Sequence, residues 1–250
     1  MASQSEAFSS TRRAVESAAS QYYHGPLQTG IDNRIKRLLI ERCLPHVQGP
    51  RVLDLGYIDG PWTDSLLSQG HRVDVIEGAS HHVAHARQRY AEQPHVTVFH
   101  TLFETFEPAE RYDSVVAGDM LGCVDDPVGL LRRAAGWLRP EGLLIVTVPN
   151  SRSLHRRVGS VMQVESTPGE VNSQYRAVGN RWAYDRYLLR HHLSSAGLEV
   201  LSVRGCFLKP LPSEQIQGWD DRLLRAFLEV GDELEDYCYY IYGISRRPRG

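Results

Sequence analysis

The sequence predicts an α/β fold with a doubly wound, mostly parallel sheet that closes on an antiparallel pair. Short, nearly continuous apolar runs alternate with segments of helical periodicity, the pattern of parallel strands covered on both faces. Right-handed crossovers between such strands make the sheet doubly wound. At residues 52–60 the chain reads VLDLGYIDG, an apolar strand followed by a turn that Gly56 and Gly60 bracket. The last part departs from the alternation and ends on a strand, Tyr237–Ser245 (YCYYIYGIS), with apolar and aromatic residues on both faces.

Taken in order, residues 1–20 are rich in Ser and Ala and weakly amphipathic, as a helix or a partly disordered arm. Tyr22-Tyr23-His24-Gly25-Pro26 then breaks any helix. Ile31, Ile35, Leu38 and Leu39 fall at helical spacing within 31–44. Residues 1–44 read as an N-terminal helical arm or lid, and 45–250 as the main domain. Strand one is 51–55. Pro61 opens a helix over 61–69, because its missing N–H would be unsatisfied at a first helical position anyway. His71–Glu77 is a second strand ending in an acid, and 80–91 a helix. Val96–Phe99 and Tyr112–Ala117 are the next strands. Pro127–Leu138 is a helix, residues 139–142 a turn, and Leu143–Val148 a fifth strand. Leu198–Phe207 is a sixth strand, and Leu211–Leu234 is helical, entered through Pro210 and Pro212.

The totals bound the function. At 250 residues the chain suits one large domain with modest insertions. A hydrophobic content of 42% and a charged content of 23% are ordinary for a soluble globular protein. A net charge of −2 gives no electrostatic case for nucleic acid or an anionic membrane. Cys43, Cys123, Cys206 and Cys238 are far apart in sequence and form no C-x-x-C, so they read as free thiols in a reducing compartment. No apolar run is long enough to span a membrane, and a cytoplasmic location is the default expectation.

The glycine turn lets a ligand approach the backbone closely. A dinucleotide fingerprint, counted from Gly56, would need Gly at Ile58 and at Pro61. A phosphate-cradling loop would need Gly-Lys-Ser/Thr where the chain has Gly60-Pro61-Trp62. What fits is a looser acidic-x-Gly-x-x-x-Gly turn headed by Asp54. Glu77 lies 21 residues beyond Gly56, where an acid at the tip of a second strand accepts hydrogen bonds from ribose hydroxyls. The alternative is a strand-end carboxylate solvated in a loop.

These segments together resemble the class I S-adenosylmethionine-dependent methyltransferases of the bacterial small-molecule type. VLDLGYIDG resembles their first motif, and VIEGAS carries the ribose-binding acid. RYDSVVAGDMLGCVDDP resembles the fourth-strand motif and WLRPEGLLIVTVPN the fifth-strand motif. SLHRRVG from Ser153, GNRWAYD from Gly179, CFLKPL from Cys206 and the YCYYIYGISRR ending extend the resemblance over residues 45–246. It implies a Rossmann-like seven-stranded sheet with the last strand antiparallel, and S-adenosylmethionine at the carboxyl ends of the strands. It places Asp54, Gly56, Tyr57 and Gly60 along the methionine part of the cofactor, and Glu77 with Gly78 at the ribose. Leu102 and Phe103 would flank the adenine, and Gly118 and Asp119 would sit beside the methyl-transfer centre. Segments at about 151–184 and 207–236 would cover the substrate. The chain also departs from the family. Leu121–Pro127 lacks the Glu and His common in that loop, and Asn180 stands where relatives often carry His. Either other residues serve as base, or the reaction needs none.

Methyl transfer is an in-line displacement, so alignment and exclusion of water are the main tasks. A neutral amine needs only a free lone pair, whereas a hydroxyl benefits from a general base such as His. His155 is a candidate base, or a helix cap on the surface. His24 belongs to an arm that could close over the cofactor with Tyr22 or Tyr23 against it, or to a turn packed outside the sheet. Tyr23, Trp182 and Tyr184 are candidates to line the substrate pocket, against the alternative of core packing. Arg152, Arg156 and Arg157 read as a solvated basic helix face rather than an anion site. His81 and His85 stand at i and i+4 without a matching carboxylate or Cys, so no metal site is expected.

The expectation is therefore a methyltransferase acting on O or N of a small molecule, in natural-product, antibiotic or sugar-like metabolite biosynthesis. It would act as a monomer or homodimer, without nucleic acid or membrane. The fourth strand exits into GDML and not into the Asp/Asn-Pro-Pro-aromatic sequence of enzymes that methylate base amines. The competitors are a non-catalytic S-adenosylmethionine-binding or partner-binding protein, and a nucleotide-cofactor oxidoreductase.

Overall fold

Successive strand residues face opposite sides of a sheet, and here both sides are dry. In β1 (Arg51–Leu55), Val52 joins one core and Leu53 and Leu55 the other. Val116 and Ile145 lie with Val52, whereas Val115, Leu144 and Val146 lie with Leu53. This two-sided burial is why the strands read as continuous apolar runs. The computed structural model describes residues 15–17, 30–164, 167–177 and 179–249.

Among the described residues the remaining strands are β2 (Arg72–Glu77), β3 (Val96–His100), β4 (Tyr112–Gly118), β5 (Leu138–Pro149), β6 (Glu199–Cys206) and β7 (Tyr240–Arg246). They form one seven-stranded sheet in the order β3-β2-β1-β4-β5-β7-β6. β7 runs antiparallel to both β5 and β6, and the other pairings are parallel. The expected seven-stranded, doubly wound, Rossmann-like architecture is therefore the observed one. The strand order reverses between β1 and β4, which opens a crevice at their carboxyl ends.

Helices α1 (Gly30–Cys43), α2 (Pro61–Ser68) and α3 (Ser80–Arg89) contribute Ile35, Leu39, Leu66 and Ala86 to the first core. Helices α4 (Pro127–Trp137) and α7 (Arg186–Ser195) contribute Leu130, Leu131, Leu189 and Leu193 to the second. Between β5 and α7 lie α5 (Leu154–Val161) and α6 (Ser173–Ala177); between β6 and β7 lie α8 (Ser213–Ile216) and α9 (Asp221–Gly231). Acidic N-caps set several starts: Asp126 accepts from Gly129 N–H at 2.8 Å, Asp185 from Leu188 N–H at 2.9 Å and Asp220 from Leu223 N–H at 2.8 Å.

Two sequence expectations are corrected. Residues 139–142 are not a turn between helix and strand but belong to β5, with Leu138 paired to Tyr112 and a register shift between Tyr112 and Ser114. The irregularity that Pro140 and Gly142 announce is absorbed inside the strand, at Glu141, whose φ is +66°. The helix expected over 211–234 is broken into α8 and α9, because Asp220 starts a new, capped helix after Gly218 and Trp219. Other boundaries agree within three residues.

Glycine spacing tests this packing. A Cβ on Gly205 in β6 would collide with the backbone of Glu235, whereas one on Gly136 in α4 would meet nothing within 4 Å. Gly205→Ala is expected to lower unfolding free energy by roughly 1–3 kcal/mol in urea titration. Gly136→Ala is expected to raise it by about 0.5–1 kcal/mol, since Ala outranks Gly in a helix.

Candidate active site

The β1–β4 crevice is bordered by unusual backbone. After β1, φ is +86° at Gly56, +49° at Ile58 and +78° at Gly60. A β-branched residue such as Ile58 in the left-handed region is a genuine outlier, and such outliers gather at ligand sites. Asp119, directly after β4, is a second, with φ +58°. Gly60 caps α2 with Pro61 at its first position, as the sequence implied. A Cβ on Gly60 would lie 2.6 Å from both the Tyr57 ring and the Tyr90 hydroxyl.

Glu77 holds this turn in place. It ends β2 and is 6% exposed. One carboxylate oxygen accepts from Tyr57 N–H at 3.0 Å and lies 3.3 Å from His82 Nδ1; the other accepts from Ala79 N–H at 2.7 Å. Burial alone would raise its pKa, but the hydrogen bonds from His82, Ala79 and Tyr57 outweigh that and hold it below the ordinary glutamate value. The carboxylate is ionised at neutral pH. The second motif is thereby stapled to the first: Gly56 N–H donates to Ile76 C=O at 2.9 Å on the same seam. The Tyr57 side chain points into the core, where its hydroxyl meets His85 Nδ1 at 3.1 Å, so only its backbone faces this seam.

Asp54 lies beneath the turn, 1% exposed. Its Oδ2 accepts from Thr63 Oγ1 at 2.7 Å, while its Oδ1 is buried with no hydrogen-bond partner. Burial, with a smaller push from the Glu77 charge, raises its pKa to about 7; the Thr63 bond opposes this. A half-ionised carboxylate with an orphaned oxygen is an incomplete interaction, suited to a cationic group arriving above it.

The β4 side adds an ion pair. Asp119 Oδ2 lies 2.9 Å from Lys36 Nζ of α1, and Oδ1 accepts from Thr147 Oγ1 at 2.9 Å. This ties α1 across the strand ends. The Trp62 indole abuts Gly118, where a Cβ would overlap its Cδ1 and Nε1. Leu102 is buried and Phe103 partly so; Met120 and Phe103 stand above Gly56, and Leu102 with Val15 abuts Gly78. Glu16 accepts hydrogen bonds from Ser80 N–H, at 2.9 Å, and from its hydroxyl. Glu16 therefore touches the start of the helix that follows β2. His24 and Tyr23, with Tyr22, lie outside the described residues.

The remaining candidates sit further along the strand ends. His155 is partly buried on α5; its Nδ1 is 3.2 Å from Ser153 Oγ and its ring packs edge-on to Tyr239. Burial, then the positive charges of Lys209 and Arg156, push its pKa down to about 3. The imidazole is neutral and weakly basic. Trp182 donates from Nε1 to Val124 C=O at 3.0 Å, and the Tyr184 hydroxyl meets His192 Nδ1 at 3.0 Å. Both also line an open cleft with Gly122, Ser151, Arg156 and Tyr175. The expectation of a solvated Arg156 is corrected: it is 5% exposed, tucked under the segment that covers the strand ends.

Sequence reading missed Lys36, Thr147, Met120 and Tyr175. Only three-dimensional proximity singles them out, and no motif spacing in the chain signals them. Among the described residues no group of three or more His, Cys, Asp and Glu could hold a metal ion, and no helix is long and apolar enough to cross a membrane.

Comparisons with known proteins bear on the family and the fold. The family described as a methyltransferase domain matches residues 27–203. The ubiquinone biosynthesis O-methyltransferase of Bradyrhizobium diazoefficiens is 32% identical over 111 residues, which is 44% of each chain. The protein of the same name from Rhodopseudomonas palustris is 25% identical over 176 residues, 68% of this chain and 66% of its own length. The chain thus spans from less than half to about two thirds of these relatives. Among solved structures, the N-methyltransferase NodS of Bradyrhizobium japonicum in complex with S-adenosyl-L-homocysteine superposes with a TM-score of 0.61 at 16% identity, covering 94% of this chain and 100% of NodS.

The buried Asp54 makes a pH-dependent prediction. The folded chain holds its proton more tightly than the unfolded chain, so this contribution is full below about pH 4 and is lost as pH rises to 7 and beyond. Asp54→Asn removes that dependence. In urea titrations the variant is expected to gain on the parent by about 1–3 kcal/mol between about pH 5 and pH 8. A difference that stays constant with pH would contradict the assignment.

Proposed function

The chain belongs to the class I S-adenosylmethionine-dependent methyltransferases, and we propose that it methylates an oxygen or nitrogen of a small molecule during biosynthesis of a natural product or a sugar-like metabolite. The observation that carries this reading is Glu77, an ionised, buried carboxylate fixed at the tip of β2 against the Gly56 turn. That is the acceptor that ribose hydroxyls need, because a carboxylate has lone pairs left after two backbone bonds. The orphaned Asp54 Oδ1 fits the ammonium of a methionine moiety. Gly56, at φ +86°, keeps the turn open beside them. When bound, S-adenosylmethionine supplies a methyl group on a cationic sulfur.

The protein's part is binding, alignment and exclusion of water. Glu77 and Asp54 orient the two ends of the cofactor. Gly118 and Asp119 border the transfer region, with Asp119 fixed by Lys36 and Thr147. Burial with nearby positive charge pushes His155 down to about 3, so it is a weak base, and Asp119 is engaged by Lys36 and Thr147. This arrangement suits an acceptor that is already nucleophilic near neutral pH, an amine lone pair or an acidic hydroxyl, rather than an alcohol that needs its proton removed. The ubiquinone biosynthesis O-methyltransferase relatives favour a small acceptor. The absence of the family's Glu and His from Leu121–Pro127 keeps a non-catalytic binding role as the second reading; formation of S-adenosylhomocysteine with any acceptor would remove it.

Two outcomes test the proposal. S-adenosylhomocysteine is expected to bind in calorimetry, and Glu77→Ala to bind at least about tenfold more weakly, since a lost charge-assisted hydrogen bond costs about 1.5–3 kcal/mol. Once an acceptor is found, His155→Ala is expected to leave the pH profile of kcat/KM unshifted, with its inflection following the acceptor's own ionisation. A profile whose inflection disappears with His155 would assign it the base role.

A further inference from the structure

We propose that the cleft beside the transfer region is an anion subsite, and that the acceptor carries a carboxylate bound there by Arg156 and Ser151. The inference rests on the reading of the strand ends as a cofactor site. Its own basis is separate. Arg156 is 5% exposed and forms no ion pair with a carboxylate among the described residues. Nη2 donates to Glu170 C=O at 2.8 Å, and the guanidinium carbon lies 5.9 Å from the centre of the Tyr175 ring. Its Nε is buried with no hydrogen-bond partner. Ser151, which lines the same cleft and is 2% exposed, has an equally orphaned Oγ.

A guanidinium almost wholly withdrawn from water and lacking an anion is destabilising, and so is each unsatisfied polar atom. Two such atoms beside one cleft, one on a cation and one on a hydroxyl, define a donor pair for an acceptor-rich anion. The planar guanidinium matches a carboxylate in shape as well as charge. Nothing else in the neighbourhood neutralises it. Lys209, itself buried, is engaged by Asp32 at 3.0 Å and by Ser213 at 2.7 Å, so the local balance around Arg156 and His155 stays positive. Glu170 offers its backbone carbonyl to Arg156, and its own side chain is exposed.

The lining favours a flat molecule behind that carboxylate. Trp182 and Tyr175 stand in the wall with Pro149, and Trp182 is held by its bond to Val124 C=O. Asn180 packs against Gly122, whose carbonyl accepts from Arg181 N–H at 2.7 Å. The covering segment is thus fixed on the turn that follows β4. Gly122, three residues beyond Asp119, lines the same cleft, so an acceptor anchored at Arg156 extends toward the transfer region.

The test uses benzoate, with benzamide as its uncharged counterpart. Each is titrated by calorimetry into protein saturated with S-adenosylhomocysteine. Benzoate is expected to bind at least roughly tenfold more tightly than benzamide. That ratio should fall to about one in Arg156→Met and be kept in part in Arg156→Lys. Circular dichroism checks that each variant is folded. Should Arg156→Met not fold, Ser151→Ala carries the test, with benzoate affinity expected to fall by about threefold. Equal affinity for the two probes, no uptake of benzoate to about 10 mM, or a preference that survives Arg156→Met overturns the inference. The saturating titration with S-adenosylhomocysteine reads the cofactor site on its own, so failure of the subsite and failure of the proposed function are told apart.

Discussion

The site depends on one buried carboxylate. Glu77 accepts from the backbone of Tyr57 in the first motif and of Ala79 in its own, and so joins two loops that the sheet brings side by side but does not itself bond. A charged group at this depth is tolerable only because donors surround it. The same donors keep it ionised. The alternating left-handed residues of the Gly56–Gly60 turn carry strain that must be held from outside. Glu77 supplies that restraint without filling the space above the turn. A single residue therefore shapes the turn and retains acceptor capacity for a ligand.

Around this point the charges are arranged by what each lacks. Asp54 lacks a partner for one oxygen and is half-ionised near neutrality. Asp119 is fully engaged by Lys36 and Thr147. Arg156 is buried with no carboxylate partner among the described residues, and its Nε is unpaired. Asp54 lies on β1, Asp119 follows β4 and Arg156 comes after β5, strands that stand in that order in the sheet. A cation is wanted under the glycine turn and an anion at the cleft. Such separated, unsatisfied groups are unusual in a relaxed interior and are characteristic of ligand sites. The weak basicity of His155 follows from the same positive surroundings.

Much of the fold was legible because the signals were local. Apolar runs marked the strands, Pro61 marked a helix start, and Gly56 with Gly60 marked the turn. The role of Asp119 in an ion pair was not legible, since Lys36 is 83 residues away in the chain (119 − 36) and on a helix that reads only as amphipathic. Arg156 was misread for a related reason. Three arginines in one short segment look like a solvated face, and only the covering chain at 170–184 buries the middle one. The break between α8 and α9 was missed because one continuous apolar periodicity hid the cap at Asp220. The turn expected at 139–142 is a bulge within β5, tied by Glu141 N–H to Arg247 C=O and by Arg247 N–H to Gly142 C=O, which the Pro and Gly signals alone did not place.

The central claim is that the Asp54–Glu77 pair beneath the glycine turn receives the cationic end and the ribose of S-adenosylmethionine. Its most direct measurement is the proton count on binding S-adenosylhomocysteine at pH 7, from calorimetry in two buffers of different ionisation enthalpy. With Asp54 titrating near 7, binding of an ammonium beside it should ionise the remainder and release about half a proton. Asp54→Asn should bind with no such release. Absence of binding, or binding with equal enthalpy in both buffers, would contradict the account.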